Sequence, residues 1–468
     1  MQEQTLKIRA FKIYRTHFEG AGGIKQLFVI AYPVIISNAS MAAMMLIDRW
    51  YLAHVSKSHM AAAMTGGLMV FACLSFFVGT INYTNALVAQ YLGAGRKHNC
   101  SAAVVQSMVL VLLSIPVIGI LSYLGPQFLS LFGHAPEQFR LEGIYFQILL
   151  WSGILVLMRV SLTGFFAGIG RTRVVMIANV VSLFVNAGSN YIFIFGGFGI
   201  PPLGIVGAGI GTSLGRLVGF LILLAVYLSA GNRKEFQTHK TWCFNPPVFR
   251  KLIRFGLPTG VDLMLNTGAF NIFVQLFHAY GATVAAAVTI TFNWDMVAFI
   301  PMLGFNIATM SLVGRNVGAK RPELAKKAAY SGLKLAYVYA GGLVILFLLL
   351  PTQLAAVFAP ESVADGYSEV LPLATVMIRL AAVYVLADAT TLVFSGALRG
   401  AGDTKWVMYA SIAIHWIMVC GVFIAVKILQ IKPITVWFMF VLFVLSLGVT
   451  MFLRFHSNKW QKNPNVVY

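Results

Sequence analysis

The chain has 468 residues, of which 59 % are hydrophobic and 10 % charged, against roughly 45–50 % and about 25 % in soluble domains. Together with a mean hydropathy of +0.82, this excludes a soluble globular enzyme, a disordered chain and a collagen-like one. The net charge of +20 would suggest nucleic acid in a soluble protein, but in a polytopic membrane protein basic residues collect in loops and set orientation, so no nucleic-acid partner is expected.

The first 25 residues carry Lys7, Arg9, Lys12, Arg15 and Lys25 and precede no short apolar core with a cleavage site; the run that follows is expected to stay as a span. Apolar runs then occupy 26–54, 60–91, 101–123, 139–168, 174–196, 203–229, 255–280, 284–314, 328–350, 370–399, 406–428 and 433–454. Each is long enough to cross a bilayer, and none alternates like a barrel strand. The predicted fold is an all-α integral membrane protein with twelve transmembrane helices.

Basic residues alternate with the spans. Arg96 and Lys97 follow span 2, Arg171 and Arg173 span 4, Arg233 to Arg254 span 6, Arg315 to Lys327 span 8, and Arg399 and Lys405 bracket the turn after span 10. Loops after odd spans are nearly bare, Lys57 and Lys432 excepted. The alternation predicts a multi-pass protein of an inner or plasma membrane with both termini in the cytoplasm.

The two halves repeat. Leu87-Val88-Ala89-Gln90-Tyr91-Leu92-Gly93-Ala94 matches Leu312-Val313-Gly314-Arg315-Asn316-Val317-Gly318-Ala319 at an offset of 225. Gly168 to Met176 matches Gly400 to Met408 at an offset of 232. Six spans per repeat is even, which predicts two six-helix lobes related by a pseudo-two-fold axis along the membrane normal. The expected division is an N-lobe at 1–229, a basic linker at 230–253 and a C-lobe at 254–468.

Ten of the fourteen acids fall in loops or near span ends: Glu3, Glu19, Glu137, Glu142, Glu235, Glu323, Glu361, Asp365, Glu369 and Asp403. Four fall inside spans: Asp48, Asp262, Asp295 and Asp388. Each costs roughly 2.5–3.5 kcal/mol on insertion scales, so such residues usually mark ion or substrate paths. A structural hydrogen bond, or a pair with Arg159, Arg216 or Arg379, is the bland alternative. Helical spacing groups Asn38, Met41, Met45 and Asp48 in span 1; Asp262 and Asn266 in span 7; Thr291, Asp295 and Asn306 in span 8; and Tyr384, Asp388, Thr391 and Ser395 in span 10. Span 5 carries Asn179, Ser182, Asn186 and Asn190 on one broad face. Glycines at 204, 207, 209, 211 and 215 follow no strand and mean close helix packing rather than a nucleotide fingerprint. No phosphate-binding GxxxxGK[ST] occurs, which excludes an ATP-driven pump within this chain. Cys73, Cys100, Cys243 and Cys420 show neither pairing nor metal spacing, so no disulfide framework, metal or cofactor is expected. His415 reads as a packed core histidine.

Taken in order, these segments resemble the multidrug and toxic compound extrusion (MATE) family. The likeness rests on Ala31-Tyr32-Pro33 with Ile47-Asp48, the glycine-rich turns after spans 2 and 8, Asn186-Ala187-Gly188-Ser189-Asn190, Gly204 to Thr212, and Ala387-Asp388-Ala389 with Gly396 to Lys405. The resemblance implies expulsion of small organic cations or drugs in exchange for protons or sodium, by alternating access, with no enzyme activity. It places an N-lobe ion site on Asp48, Asn186, Asn190 and Thr212. Many members carry Asp where this chain has Asn190, which weakens a sodium site and favours protons. It places a second site on Asp388; a Glu of other members falls on Asn266, with Asp262 one turn earlier. On this reading Asp48 and Asp388 couple the ion, and Asp262, Asn266, Asp295 and Tyr384 serve the substrate.

The runner-up is a lipid-linked oligosaccharide flippase or polysaccharide exporter of the same superfamily, which should place several bases in its cavity. A facilitator-type porter lacks support, because its charged turn is not seen at Gly93 to Asn99. A monomer in the lipid bilayer is expected.

Overall fold

A computed structural model describes residues 20–129, 135–358 and 367–462. The predicted N-terminal bases Lys7, Arg9, Lys12 and Arg15, and the acids Glu3, Glu19, Glu361 and Asp365, lie outside the described residues.

The helices are α1 (Ile24–Ala53), α2 (Lys57–Asn82), α3 (Thr84–Gly93), α4 (Lys97–Leu129), α5 (Pro136–Gly168), α6 (Thr172–Phe195), α7 (Ile205–Tyr227) and the short α8 (Ala230–Phe236). They continue with α9 (Pro246–His278), α10 (Ala282–Gly318), α11 (Pro322–Leu349), the short α12 (Pro351–Ala356), α13 (Tyr367–Gly400), α14 (Thr404–Phe423) and α15 (Pro433–His456). Among the described residues no strand forms; a single bridge joins Gly197 and Ile200 between α6 and α7. Among the described residues eleven spans are long and apolar enough to cross a membrane, α2 and α3 counting as one. α9 is the twelfth long helix; Arg250, Lys251, Arg254 and Asp262 dilute its apolar character.

Three helices differ from the apolar runs. The run 60–91 breaks at Tyr83, whose N–H turns back to Ile81 O, where the side chain of Thr84 and the backbone of Asn85 lie against Gly164 and Gly168 of α5. The seventh helix starts at Pro246 rather than 255, because proline suits a first turn. The eleventh passes into a π-helical turn at Ile424–Ile428.

The sequence repeats end in one backbone turn, used four times. Arg96 N–H donates to Tyr91 O at 2.9 Å, Arg171 to Phe166 O at 2.8 Å, Arg321 to Asn316 O at 2.9 Å and Asp403 to Leu398 O at 2.9 Å. Each is a Schellman closure, which needs a left-handed residue just past the helix. Glycine supplies it at 95, 170 and 402, whereas Lys320 adopts it with φ 57°.

The chain divides into two compact units. One comprises Ile36–Met264; the other comprises Met1–Ile35 with Leu265–Tyr468. The boundaries therefore fall inside α1 and inside α9. In the first unit the start of α9 packs on α2: a Cβ at Gly79 would lie 2.7 Å from Thr259 O and 2.8 Å from Gly260 Cα. In the second unit the start of α1 packs on α10: a Cβ at Gly304 would lie 2.5 Å from Ile35 Cγ1 and 3.2 Å from Ala31 O. Gly79 and Gly304 are related by the repeat offset of 225. Ser331 adds a hydrogen bond to Gly22 O at 2.9 Å. The core of the second unit is aromatic, with Phe273 stacked on Phe440 at 4.8 Å and Trp437 edge-on to Phe277.

In the first unit α8 fastens two basic turns. Glu235 accepts from Lys97 at 3.1 Å and from Arg171 at 2.8 Å, and Arg171 also donates to Asn232 Oδ1 at 2.9 Å. The Lys97 hydrogen bond, reinforced by the charges of Lys97 and Arg171, holds the Glu235 carboxyl below the usual range. In the second unit the equivalent turn carries the opposite sign: Asp403 accepts from Arg454 at 2.8 Å.

Candidate functional site

α6 and α7 meet along a seam set by glycine. Gly207, Gly211, Gly215 and Gly219 recur every fourth residue on one face of α7, and small residues at that spacing let helix backbones approach. A Cβ at each would strike α6 in turn: the Phe193 carbonyl, Asn190 Oδ1, Asn186 Cβ and Ser182 Oγ. The facing side chains Ser182, Asn186 and Asn190 are fully buried. The predicted polar face of α6 is therefore pressed against a helix without side chains, which fixes its rotamers.

Asp48 enters this seam from α1 and is 7 % exposed. Asn190 Nδ2 donates to its Oδ1 at 2.5 Å, and Thr212 Oγ1 donates to its Oδ2 at 3.1 Å. Asn186 Nδ2 donates to Thr212 Oγ1 at 3.3 Å. The four residues that the family resemblance grouped thus form one hydrogen-bonded network. Asn186 Oδ1 and Asn190 Oδ1 are buried without a hydrogen-bond partner. Tyr145 of α5 lies in the electrostatic field of Asp48. Met41 and Met45, grouped with Asp48 by spacing, are exposed instead. Asn179 donates to Ser37 Oγ, which ties α6 to α1 further along.

The second unit holds two of the four span acids, Asp295 and Asp388. Asp295 on α10 and Asp388 on α13 lie within each other's field, and the buried Tyr384 hydroxyl sits beside both. That hydroxyl makes no hydrogen bond of good geometry among the described residues. Asn306, placed on the Asp295 face by spacing, donates instead to Leu392 O at 2.6 Å and Ser395 Oγ at 3.3 Å. Thr291 and Thr391 bond to carbonyls of their own helices.

Asp262 and Asn266 fall on either side of the unit boundary in α9. Asp262 is buried in the first unit. Asn266, in the second, donates to Ser411 Oγ at 2.7 Å; His415 Nδ1 lies 2.8 Å from Ser411 O and its ring packs edge-on against Phe443.

For three of the four span acids the bland alternative of an arginine pair is not realised. Among the described residues Asp48, Asp295 and Asp388 form no ion pair. Arg216 contributes field to Asp48 but donates to Leu149 O at 2.9 Å and Ser152 Oγ at 2.6 Å. Arg379 is exposed.

The MatE family profile matches twice, at residues 33–192 and 258–426, the second block beginning 225 residues after the first. The chain belongs to the MatE family. Among relatives of this MatE chain is the probable multidrug resistance protein NorM of Shewanella oneidensis, 30 % identical over 84 % of this chain and 84 % of its own length. A protein of the same name from Mannheimia succiniciproducens is 25 % identical over 95 % of this chain and 96 % of its own. A MOP superfamily transporter from Pyrococcus furiosus shares the fold, with a TM-score of 0.85 at 20 % identity, covering 94 % of this chain and 97 % of that one.

Sequence reasoning missed three neighbours in this MatE chain: Tyr145, Ser411 and Gly219. The first two meet their partners across helices distant in sequence, which no local period reveals. Gly219 continues the four-residue glycine spacing of α7 and was open to that rule.

Proposed function

We propose that this MatE protein is a secondary antiporter that expels small organic cations, drugs among them, in exchange for protons. It works by alternating access in an inner or plasma membrane, with both termini in the cytoplasm. The observation that carries this reading is the set of three spanning carboxylates, Asp48, Asp295 and Asp388, without an ion-pair partner among the described residues.

A carboxylate withdrawn from water sheds its unfavourable charge in two ways, by taking a proton or by holding a cation. Competition between the two for one group gives exchange. A site that prefers the proton when open to one side and the substrate when open to the other drives a cycle, because each ligand favours the conformation it binds better. In this scheme Asp48 and Asp388 couple the proton. In the second unit Asn266, Asp295 and Tyr384 receive the substrate, with Asp295 supplying charge and Tyr384 an aromatic face, and Asp262 of the first unit attracts the substrate cation. The names of the relatives support the substrate class.

Proton rather than sodium coupling is supported by the polarity around Asp48. Asn190 and Thr212 present donors to its oxygens, whereas sodium needs oxygen ligands turned inward. The test is uptake of a fluorescent organic cation by inverted vesicles under an imposed proton or sodium gradient. Uptake driven by the proton gradient alone is expected. Uptake driven by neither gradient would overturn the antiporter reading.

A further inference from the structure

Arg159 has no role in the scheme above, and its surroundings do not account for its charge. It lies on α5, nine residues before the end of that helix, or about 14 Å into the span. It is 7 % exposed. Among the described residues its guanidinium makes no hydrogen bond and no ion pair, and its charged neighbour is another arginine, Arg216.

The adjoining groups are already committed. Arg216 gives its hydrogen bonds to Leu149 O and Ser152 Oγ and has Asp48 in its field. Ser182 donates its hydroxyl to Ala178 O at 2.7 Å. Nη1 of Arg159 rests over Gly219, where an added Cβ would come within 3.2 Å of it and overlap Ser182 Oγ. A buried guanidinium is strongly unfavourable without a partner that satisfies both its charge and its donors. Arginine is also the side chain whose planar fork matches a carboxylate. Arg159 and Arg216 neighbour each other, and Asp48 is in the field of Arg216, so the charge around Arg159 is positive and attracts an anion.

We propose that Arg159 is the anchor of an anion subsite in the unit formed by residues 36–264, taking a small monovalent anion: the carboxylate of a zwitterionic substrate or a free halide or carboxylate ion. Asp48 and Arg159 would then be poles of opposite sign in one unit. Thr212, bonded to Asp48, and Gly219, beneath Arg159, are seven residues apart on α7, about 10 Å along its axis. This goes beyond cation exchange, and its first test does not depend on transport.

The thermal midpoint of the purified full-length protein is measured in chloride, in acetate and with a carboxylate-bearing rhodamine, at constant ionic strength made up with sulfate, which is divalent and no carboxylate. The methyl ester of the same rhodamine is the control, since the two dyes differ only in that anion. A rise of about 2 °C or more with an anion, absent in Arg159→Gln, is expected. A response to chloride and acetate assigns the subsite to a free ion; a response confined to the acid dye assigns it to the substrate's carboxylate. Either supports the proposal. A wild-type protein indifferent to every anion overturns it, as does an undiminished response in Arg159→Gln. An internal hydrogen bond from Arg159 to the buried Asn179 Oδ1 would give the first of these failures. Should Arg159→Gln not insert, Arg159→Lys keeps the charge but loses the fork, and a tenfold weaker anion response in it is expected; an unchanged response overturns the proposal. Where the response is confined to the acid dye, Arg159→Gln is expected to slow uptake of that dye by vesicles at least tenfold relative to its ester.

Discussion

Asn190 and Gly211 face each other across the seam of α6 and α7 so closely that a methyl group on Gly211 would overlap Asn190 Oδ1. The same amide gives its nitrogen to Asp48. One missing side chain on α7 therefore decides where a hydrogen-bond donor on α6 stands, and through it the setting of a carboxylate on α1. Gly211→Ala is expected to displace Asn190, cost about 1–3 kcal/mol by overpacking, and reduce cation efflux strongly. Gly188→Ala is the control. It lies on α6 with no atom near its would-be Cβ, so it should leave efflux intact and stabilise the helix by about 0.5–1 kcal/mol. Thermal midpoints and efflux rates of the two variants check this; equal effects would mean that helix propensity, not the seam, governs both.

The carboxylates themselves are tested by Asp48→Asn and Asp388→Asn. Asn keeps the shape and removes the charge, so each variant should reach the membrane at wild-type levels or better. Efflux of a fluorescent cation should fall at least tenfold in each. Normal efflux in both would remove the carboxylates from the mechanism.

The fold was legible because a bilayer demands long apolar runs, and the runs are separated by turns with a fixed chemistry. Gly95, Gly170 and Gly402 announce left-handed helix ends, and Gly170 and Gly402 stand at the repeat offset of 232. Less legible were the exchanged starts of α1 and α9, because what a helix packs against is not encoded in its own period. Gly79 and Gly304 lie at equivalent positions and admit those crossings, yet in the sequence they are two unremarked glycines. The Asp48 network was legible as a stripe on α6 together with a family likeness. The Asn266–Ser411 bond was not, since span 11 offered no acid to draw attention.

A pH dependence follows from α8. Lys97's hydrogen bond, with the charges of Lys97 and Arg171, lowers the Glu235 carboxyl from its ordinary value near 4.5. A carboxyl lowered in the folded state stabilises the protein fully above the unfolded value. It loses that contribution as the pH falls through the folded one. Exposed ion pairs contribute about 0.2–1 kcal/mol each, so Glu235→Gln should cost about 1 kcal/mol at neutral pH. The gap between variant and wild type should close as the pH falls below the ordinary carboxylate range. Thermal midpoints of the purified proteins, compared at neutral pH and in acid, check it; a gap that widens in acid would contradict this clamp.

Ion choice rests on Asn190. As an amide it offers Asp48 a donor at 2.5 Å and leaves a single carboxylate in the network, an arrangement that suits a proton. In Asn190→Asp the donor becomes a second carboxyl at that position. Two carboxylates so close cannot both be charged unless something positive lies between them. They must share a proton or hold a cation, and Thr212 and Asn186 stand beside them with further oxygens. The variant is therefore expected to gain sodium dependence, read as faster efflux from vesicles when a sodium gradient is added to a clamped proton gradient. Wild-type efflux should show no such gain. Should wild-type efflux instead vanish without sodium while a proton gradient is present, proton coupling is wrong and sodium already binds with one carboxylate.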